Sequence, residues 1–322
     1  MDKRQTEQGL DGVIAVWKPA GWTSHDVVAK VRGMLRVRRI GHTGTLDPAV
    51  TGVLPLCIGR STRLVEYLQE MPKTYEATLR FGIATDTEDL SGTITEQKDA
   101  SFLTESMIRD AALSFIGDID QVPPMVSAVK INGKRLYELA RQGITVERSA
   151  RRVSIYEIEI LKITGVGIEP ELTFSVKCSK GTYIRTLCVD IGRKLEVPAV
   201  MSELIRTESA GLREEHCVTL EQIPELLKQG GLGKKLFVSN TLLTGIPSTV
   251  AAHPEALHVL QGKVVEANKL QPPADREGLW KLYRSDGVFL GLFSVDENGV
   301  TVRPVKVFQT PEGQMSQDSH SD

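Results

Sequence analysis

One segment, ELTFSVKCSKGTYIRTLCVDIGRKL at residues 171–195, constrains the fold more than any other part of this 322-residue chain. Apolar and polar side chains alternate from Leu172 to Cys178, which is the period of a half-buried β-strand. A Lys-Gly pair then predicts a turn, and the apolar residues from Ile184 to Leu195 recur at helical spacing. The segment therefore predicts a strand that turns into a helix, with Tyr183 and Arg185 at the first helical turn beside the strand end.

The remaining helix and strand patterns do not alternate as they would in a repeated βαβ fold. A strand is predicted at residues 74–82, and helices are predicted at 22–35, 104–117 and 134–143. Thr23 or Ser24 would begin the first helix and Thr104 the second, while Gly117 and Gly143 would end the last two. We therefore expect an α+β fold in which helices flank a mixed, largely antiparallel central sheet.

The pattern changes near residue 248. A short helix is predicted in HPEALHVLQG, with Pro254 at its start and Gly262 beyond its end, and four short strand-like runs follow. We therefore expect a small β-barrel domain at residues 248–309 and a large domain at 12–247. Residues 1–11 and 310–322 are polar, and we expect both ends to be disordered.

The overall composition is that of a globular protein, with 41% hydrophobic residues, 25% charged residues and a net charge of −2. Apolar runs such as 53–58 are too short to cross a bilayer, and the polar N-terminus has no signal-peptide core. The four cysteines and six histidines show no metal-ligand spacing and no CxxC pair. We therefore expect a cytoplasmic protein with reduced thiols, no metal and no membrane partner.

Residues 30–42, KVRGMLRVRRIGH, form a local exception to the near-neutral charge. This stretch contains no acid and five bases, Lys30, Arg32, Arg36, Arg38 and Arg39. Such a patch can bind phosphates even when the whole protein is slightly acidic. A solvated helix end without a binding role is the alternative interpretation.

Asp47 is the acid at the centre of IGHTGTLDPAVTGVLPLCIG, residues 40–59. Asp-Pro and glycine are turn residues, so a plain turn is the simplest interpretation of the segment. No complete dinucleotide or phosphate loop, GxSxG elbow, HExxH pair or close second acid occurs in the sequence. These observations leave chemistry that is built on a single carboxylate.

Five ordered segments together resemble the bacterial tRNA pseudouridine synthase B family from about Gly12 to Thr219. They are WKPAGWTSHDVV, GHTGTLDPAVTGVLPLCIG, KTYEATLRFGIATDTEDLSG, VPPMVSAVKINGKRLYELARQG and CSKGTYIRTLCVDIG. The resemblance implies a pseudouridine synthase catalytic fold followed by a PUA-like RNA-binding barrel, although the C-terminal residues carry little family signature. It also implies isomerisation of uridine-55 in the TψC loop of tRNA to pseudouridine, without a cofactor.

The resemblance also implies catalytic roles for three residues. Asp47 matches the family nucleophile, and the attack on either C1′ of the ribose or C6 of the base stays open. Arg185 matches the arginine that pairs with the nucleophile, and a nearby cation favours the ionised carboxylate that attack requires. Tyr75 matches a tyrosine that stacks on the target base and takes part in proton transfer, and it can also serve as a core residue.

Further residues match positions that hold the RNA. His42 matches a residue that contacts the T-loop and fills the space left by the flipped base, while a turn histidine is the alternative. Tyr183 and Leu204 match residues that line the base pocket, with plain core packing as the alternative. The target uridine must be extruded from its folded loop, and contacts from Lys30, Arg36, Arg38 and Arg39 to the RNA backbone would offset part of that cost.

One segment departs from the family pattern. The family commonly has Leu-Arg-Arg near the pocket, whereas this chain has Ile205 in place of the first arginine and keeps the second as Arg206. One RNA contact is therefore expected to be missing or supplied elsewhere.

The resemblance further implies that Lys18 and Pro19 support the active site from below, and that the enzyme is a monomer needing no protein partner. The rival interpretations are an RNA-binding tRNA chaperone without catalysis and a hydrolase that acts on a small glycoside.

Overall fold

The structure, a computed structural model, describes residues 10–127, 129–131 and 133–309. The chain forms two compact units, the larger made of Ile14–Leu56 and Glu66–Lys235. The smaller is built around Cys57–Val65 and the chain from Leu236 onward. The sequence-based boundaries at 247 and 309 stay predictions, and the ends expected to be disordered lie outside the described residues except for residues 10 and 11.

A nine-stranded sheet forms the largest element of the structure. The strands of the first two thirds of the chain are β1 (Gly12–Lys18), β2 (Ile40–His42), β3 (Thr51–Ile58), β4 (Lys73–Phe81), β5 (Ile83–Thr85), β6 (Ile94–Gln97), β7 (Gly117–Gln121), β8 (Lys130–Ile131), β9 (Lys134–Arg135), β10 (Arg151–Thr164), β11 (Glu171–Cys178), β12 (Ala199–Ser209) and β13 (Leu212–Arg213). The sheet order is β1-β3-β12-β4-β11-β10-β7, with β2 beside β3 and β13 beside β12. The β12–β3 pair is parallel, and the pairs from β12 to β7 are antiparallel. The expected mixed, largely antiparallel sheet is confirmed.

Helices occur at the five places where the sequence predicts them, and also at places where it does not. They are α1 (Ser24–Leu35), α2 (Val65–Glu70), α3 (Glu105–Leu113), α4 (Leu136–Arg141), α5 (Ile184–Lys194), α6 (Gln222–Lys228) and α7 (His253–Leu260). The short helices α2 and α6 were not predicted from the sequence. Of the predicted helices, α3 ends earlier than expected, because Phe115 and Ile116 already form turns by hydrogen bonds to carbonyls three residues earlier. Gly117, at φ +116°, begins β7 instead of ending the helix.

The start and the end of α1 are both defined by local hydrogen bonds and backbone angles. Thr23 accepts from the Asp26 amide, and the Asp26 carboxylate accepts from the Thr23 amide, so the two residues form a capping box. Val27 and Val31 are buried along one face of the helix. Arg36 ends the helix in the left-handed conformation at φ 52°, which turns the chain toward β2 and the Asp47 segment.

The predicted strand–turn–helix unit is β11 followed by α5. Leu172, Phe174 and Val176 of β11 are completely buried in a core to which α5 contributes Leu187 and Ile191. The β11–β4 register places Val176 opposite Tyr75, and the β12–β4 register places Arg206 opposite Tyr75 on its other side. The ends of three strands and the start of α5 therefore meet around Tyr75.

The C-terminal part contains a five-stranded sheet. Its strands are β14 (Ser248–Ala251), β15 (Val265–Glu266), β16 (Gly278–Arg284), β17 (Phe289–Val295) and β18 (Thr301–Val307), in the order β14-β16-β17-β18-β15. Apolar side chains of α7 join those of this sheet in one core. The expected small β-rich region is confirmed, while β14, which pairs in parallel with β16, has no signal of its own in the sequence. Within the described ranges, no helix is long and apolar enough to cross a membrane.

Candidate active site

A cavity of about 340 Å³ lies beside the Asp47 loop, which we define as residues 43–50 between β2 and β3. Its walls come from this loop, from the turn before α5 and from β4 and β12. The predicted site residues that line it are Asp47, Tyr75, Tyr183, Arg185 and Leu204. The structure therefore brings together five side chains that are spread over more than 150 positions of the sequence.

Asp47 and Arg185 form an ion pair in the wall of this cavity. The Asp47 Oδ2 to Arg185 Nη2 distance is 2.9 Å, and the aspartate side chain is 45% exposed whereas that of the arginine is 4% exposed. Arg185 also donates to the carbonyl oxygens of Thr87 at 2.9 Å and Val126 at 2.8 Å. Its guanidinium is thus fixed from several sides, and only the carboxylate of the pair is open to a ligand.

Lys18 supports the Asp47 loop from the protein interior. Its side chain is completely buried, and Nζ donates to the carbonyl oxygens of Pro19 at 2.9 Å, Trp22 at 2.6 Å and Pro48 at 3.1 Å. Burial lowers the pKa of Lys18 to about 8, although the nearby Asp47 carboxylate favours its charged form. The lysine therefore uses all three of its protons to hold backbone next to the candidate nucleophile.

Arg206 holds the loop from the side of β12. Its side chain is 1% exposed, and its nitrogens donate to the carbonyl oxygens of Val53 at 2.8 Å, Gly44 at 3.2 Å and Thr45 at 3.4 Å. The retained arginine of the family pattern is therefore almost completely buried, at the wall of the Asp47 cavity. Its neighbour Ile205 is a partly buried strand residue.

Tyr75 and Tyr183 contribute phenol groups to the cavity. Burial raises the pKa of Tyr75, while the positive charge of the Arg206 guanidinium acts in the opposite direction. Burial also raises the pKa of Tyr183. Tyr183 caps α5, and its backbone exchanges hydrogen bonds of 2.7 and 3.0 Å with the side-chain amide of Gln121. Both phenols therefore stay protonated near neutral pH.

His42 lies next to the loop and is not part of the cavity wall. Its ring packs edge-on against His25 at a centroid distance of 5.3 Å, and Nδ1 accepts from the amide of Gly44 at 3.2 Å. Burial lowers its pKa, so the imidazole is neutral at neutral pH. The structure places His42 where it shapes the start of the Asp47 loop.

The predicted basic patch is solvent-exposed. Lys30, Arg36, Arg38 and Arg39 all have exposed side chains, and none forms an ion pair with any residue that the structure describes. They lie at the end of α1 and in the turn that leads to β2. Their charges are thus available to an external anion.

Two features beside Asp47 were not predicted from the sequence. A second cavity of about 920 Å³ borders the loop and includes Lys130, Arg135 and Arg141; the segment KINGKRLYELAR has four bases and one acid, which is the signal that could have found it. Asp89 lies 3.9 Å from Arg185 and adds a second carboxylate behind the ion pair. Within the described chain, no three His, Cys, Asp or Glu side chains are grouped as a metal would require.

Comparisons with known proteins agree with this arrangement. The TruB family pseudouridylate synthase N-terminal domain model matches residues 32–184, and the tRNA pseudouridylate synthase B C-terminal domain model matches residues 185–237. The tRNA pseudouridine synthase B of Clostridium perfringens is 42% identical over 90% of this chain and 97% of its own length. The chain belongs to the TruB family. Its pseudouridine synthase fold and isomerase activity in tRNA modification follow from this membership.

Other family members give the same result. The tRNA pseudouridine synthase B of Geobacillus thermodenitrificans is 42% identical over 93% of this chain and all of its own length. That of Symbiobacterium thermophilum is 52% identical over 66% of this chain and 71% of its own. Among solved structures, a Cbf5-Nop10-Gar1 complex contains a chain with a TM-score of 0.74 and 28% identity, covering 94% of this chain and 86% of that one.

Proposed function

We propose that this TruB family member converts uridine-55 in the TψC loop of tRNA to pseudouridine at the Asp47 cavity. The observation that carries the proposal is the Asp47–Arg185 ion pair, in which a buried arginine holds an exposed carboxylate at the cavity wall. A carboxylate in this position can attack an electrophilic carbon and leave again. Both C1′ of the ribose and C6 of the base are carbons that it could attack.

The reaction is an isomerisation, so the product contains the same atoms as the substrate, apart from one proton that is exchanged with solvent. The N1–C1′ bond breaks, the base rotates, and a C5–C1′ bond forms. The C5 proton is lost to solvent and N1 acquires a proton. Tyr75, whose phenol faces the same cavity, is placed to stack on the base and to take part in the proton transfer from C5.

The substrate must present a single unstacked nucleotide to the cavity. A base inside a folded RNA loop is out of reach of Asp47, so the uridine must be flipped outward. Tyr183 and Leu204 would contact the flipped nucleotide, and His42 would contact the loop that it leaves. Lys30, Arg36, Arg38 and Arg39 would bind the phosphate backbone of the T-arm. We also propose that the enzyme acts as a monomer, in the cytoplasm with its tRNA substrate; Asp47, Tyr75 and Arg185, the three candidate catalytic residues, all meet within one chain.

The test uses unmodified tRNA that carries tritium at uridine C5. We expect the wild-type protein to release label stoichiometrically from the T-loop, and the Asp47→Asn variant to release none while it binds tRNA with unchanged affinity. The amide is nearly isosteric with the carboxylate but is a poor nucleophile. Asp99→Asn, at an exposed turn, is the matched control and should retain full activity.

The outcome also separates the rival functions. Turnover by a purified Asp47→Asn variant free of deamidated protein would show that Asp47 is not the nucleophile. Binding without any label release by the wild-type protein would favour an RNA chaperone.

A further inference from the structure

Arg206 is a buried cation whose hydrogen-bond partners are all neutral. No carboxylate among the described residues forms an ion pair with it, and its guanidinium donates to three backbone carbonyls. A charge without good partners in the interior is costly. The carbonyls therefore determine where the guanidinium can lie, and the guanidinium in turn holds the carbonyls.

Those carbonyls lie on both sides of Asp47 in the sequence. Gly44 and Thr45 precede the aspartate, and Val53 follows it in β3. A planar guanidinium presents its donors in a fixed fork. One side chain therefore fixes the entry and the exit of the Asp47 loop relative to each other.

The same guanidinium reaches the second candidate catalytic group. Arg206 and Tyr75 are directly opposite in the β12–β4 register, so their side chains lie on the same face of the sheet. The guanidinium acts on the phenol of Tyr75 electrostatically, because burial raises the Tyr75 pKa and the positive charge of the guanidinium opposes that rise. Arg206 thus connects the loop that carries Asp47 with the strand that carries Tyr75.

The backbone around Arg206 is also tightly constrained. Gly52 of β3 lies opposite Arg206 in the parallel β12–β3 pair. A Cβ atom on Gly52 would be 2.3 Å from the carbonyl oxygen of Arg206 and 2.6 Å from its nitrogen. The two strands therefore approach more closely than a side chain at position 52 permits, and this contact fixes the backbone of Arg206 against β3.

We propose that Arg206 is a positioning residue that sets the geometry between Asp47 and Tyr75 and makes no contact with tRNA. The proposal rests on the proposed function of the Asp47 cavity. It assigns to Arg206 an effect on the chemical step alone. The residue borders the Asp47 cavity, but its side chain is only 1% exposed and its three nitrogens donate to backbone carbonyls rather than to a ligand.

The first test is the Arg206→Lys variant, which keeps the charge and loses the fork. We expect its single-turnover rate to fall by about tenfold or more, as a small misplacement of reacting groups requires, while KM and the Kd for tRNA stay unchanged. Arg213→Lys is the matched control, since this arginine is 63% exposed and pairs with Glu208. A weaker Kd with an unchanged rate would show that Arg206 acts on RNA binding and would overturn the proposal.

The second test is a double-mutant cycle with Tyr75→Phe. If Arg206 acts through the Tyr75 phenol and the Asp47 loop, the rate losses of Arg206→Lys and Tyr75→Phe should combine to less than their product. Fully multiplicative losses would overturn the connection to Tyr75.

If Arg206→Lys does not fold, Arg206→Gln takes its place, and unfolding of both variants overturns the proposal by showing a role in the whole fold. The wild-type assay separates these outcomes from a failure of the proposed function, which would show as no label release at all.

Discussion

At the scale of single residues, the site is built by placing cations inside the protein and leaving one carboxylate outside. Lys18, Arg185 and Arg206 are nearly or completely buried, and each donates to backbone carbonyls near the cavity. Of the two side chains in the Asp47–Arg185 ion pair, only that of Asp47 is exposed. The cations thus hold the loop and the arginine partner in position before substrate arrives, which is how preorganised sites lower a barrier.

Arg185→Met should reduce activity in the chemical step. The variant removes the group that holds the Asp47 carboxylate, and we expect a loss on the order of 100-fold in single-turnover rate with little change in tRNA affinity. Rapid-quench measurements at saturating enzyme would give the rate directly. An equal loss in affinity with an unchanged rate would mean that Arg185 binds phosphate instead.

Lys18 should give the isomerisation rate an alkaline limit. Its pKa of about 8 lies below the ordinary 10.5, so as pH rises through about 8 the amine loses a proton and one of its three carbonyl hydrogen bonds, loosening Pro48. The free energy of unfolding should change in the opposite direction to the rate. Between about pH 8 and 10.5 the folded protein has already lost the costly buried charge while the unfolded chain still holds its proton, so stability rises with pH.

Single-turnover rates between about pH 6 and 10 would check this expectation. The wild-type rate should fall above the Lys18 pKa of about 8, and Lys18→Met should be slower but flat over the same range. Lys73→Met is the comparison variant, because burial lowers the pKa of Lys73 to about 8 as well. Lys73 also borders the cavity, but its amine donates to the carbonyls of Gln69 and Met71 and not to the backbone beside Asp47. A limit that disappears in Lys73→Met and persists in Lys18→Met would contradict the assignment.

At the scale of elements, close approach of β3 and β12 requires a glycine at position 52. Gly52→Ala should lower the free energy of unfolding by about 1–3 kcal/mol more than Gly117→Ala does, since overpacking costs that much. The two glycines have nearly the same backbone angle, φ +119° and +116°, but no atom lies within 4 Å of a Cβ on Gly117. Urea denaturation of both variants isolates the steric cost, and equal losses would mean that β3 moves away freely.

Regular elements were predictable wherever one face of an element is buried against a core. The buried face can be read from the apolar pattern, which alternates in β4 and β11 and has helical spacing in α1 and α5. β14 and β8 are only four and two residues long and form by pairing with distant or neighbouring strands, so no local pattern marks them. The length of α3 was wrong because the turn at residues 114–116 depends on the strand that begins at Gly117.

The site was predictable only in part, for a similar reason. The strand–turn–helix pattern placed Arg185 at a helix start, where the structure has it. The family resemblance indicated that Lys18 supports the site, but the burial of Lys18 and Arg206 could not be inferred from the residues themselves, because a charged residue in a sequence indicates surface unless its partners are known. Those partners are backbone carbonyls. Every residue has one, so the sequence does not show which carbonyls will accept from a buried lysine or arginine.

At the scale of the whole molecule, a slightly acidic protein must bind a polyanion through local charge. Replacing Arg36, Arg38 and Arg39 together with glutamine should weaken tRNA binding and flatten its salt dependence, by up to about 0.9 in the log–log slope for each phosphate that is no longer neutralised. Saturated turnover should survive, because Asp47, Tyr75 and Arg185 are unchanged. Filter binding at several salt concentrations and a melting curve for the variant would measure both effects.

A control with the same loss of charge makes this test specific. Arg109, Lys162 and Lys228 are exposed elsewhere in the larger unit, and their replacement by glutamine should leave the salt slope nearly unchanged. If both triple variants flatten the salt dependence of tRNA binding equally, the effect comes from the total charge of the protein and not from contacts made by the patch. A stable patch variant with an unchanged slope would remove these arginines from the RNA interface.

The size of the Asp47 cavity has a consequence for how substrates compete. At about 340 Å³ it lies at the lower end of small-molecule sites, which span roughly 300–1,000 Å³, so it admits a nucleotide only after that nucleotide has left its neighbours. The apparent affinity for any RNA then equals its intrinsic affinity reduced by the fraction of time its uridine is open. Two RNAs with identical sequence around the uridine can therefore differ as substrates solely because one loop opens more often. A chemical modification that stiffens the loop of an RNA would make that RNA a poorer substrate without changing any contact to the protein.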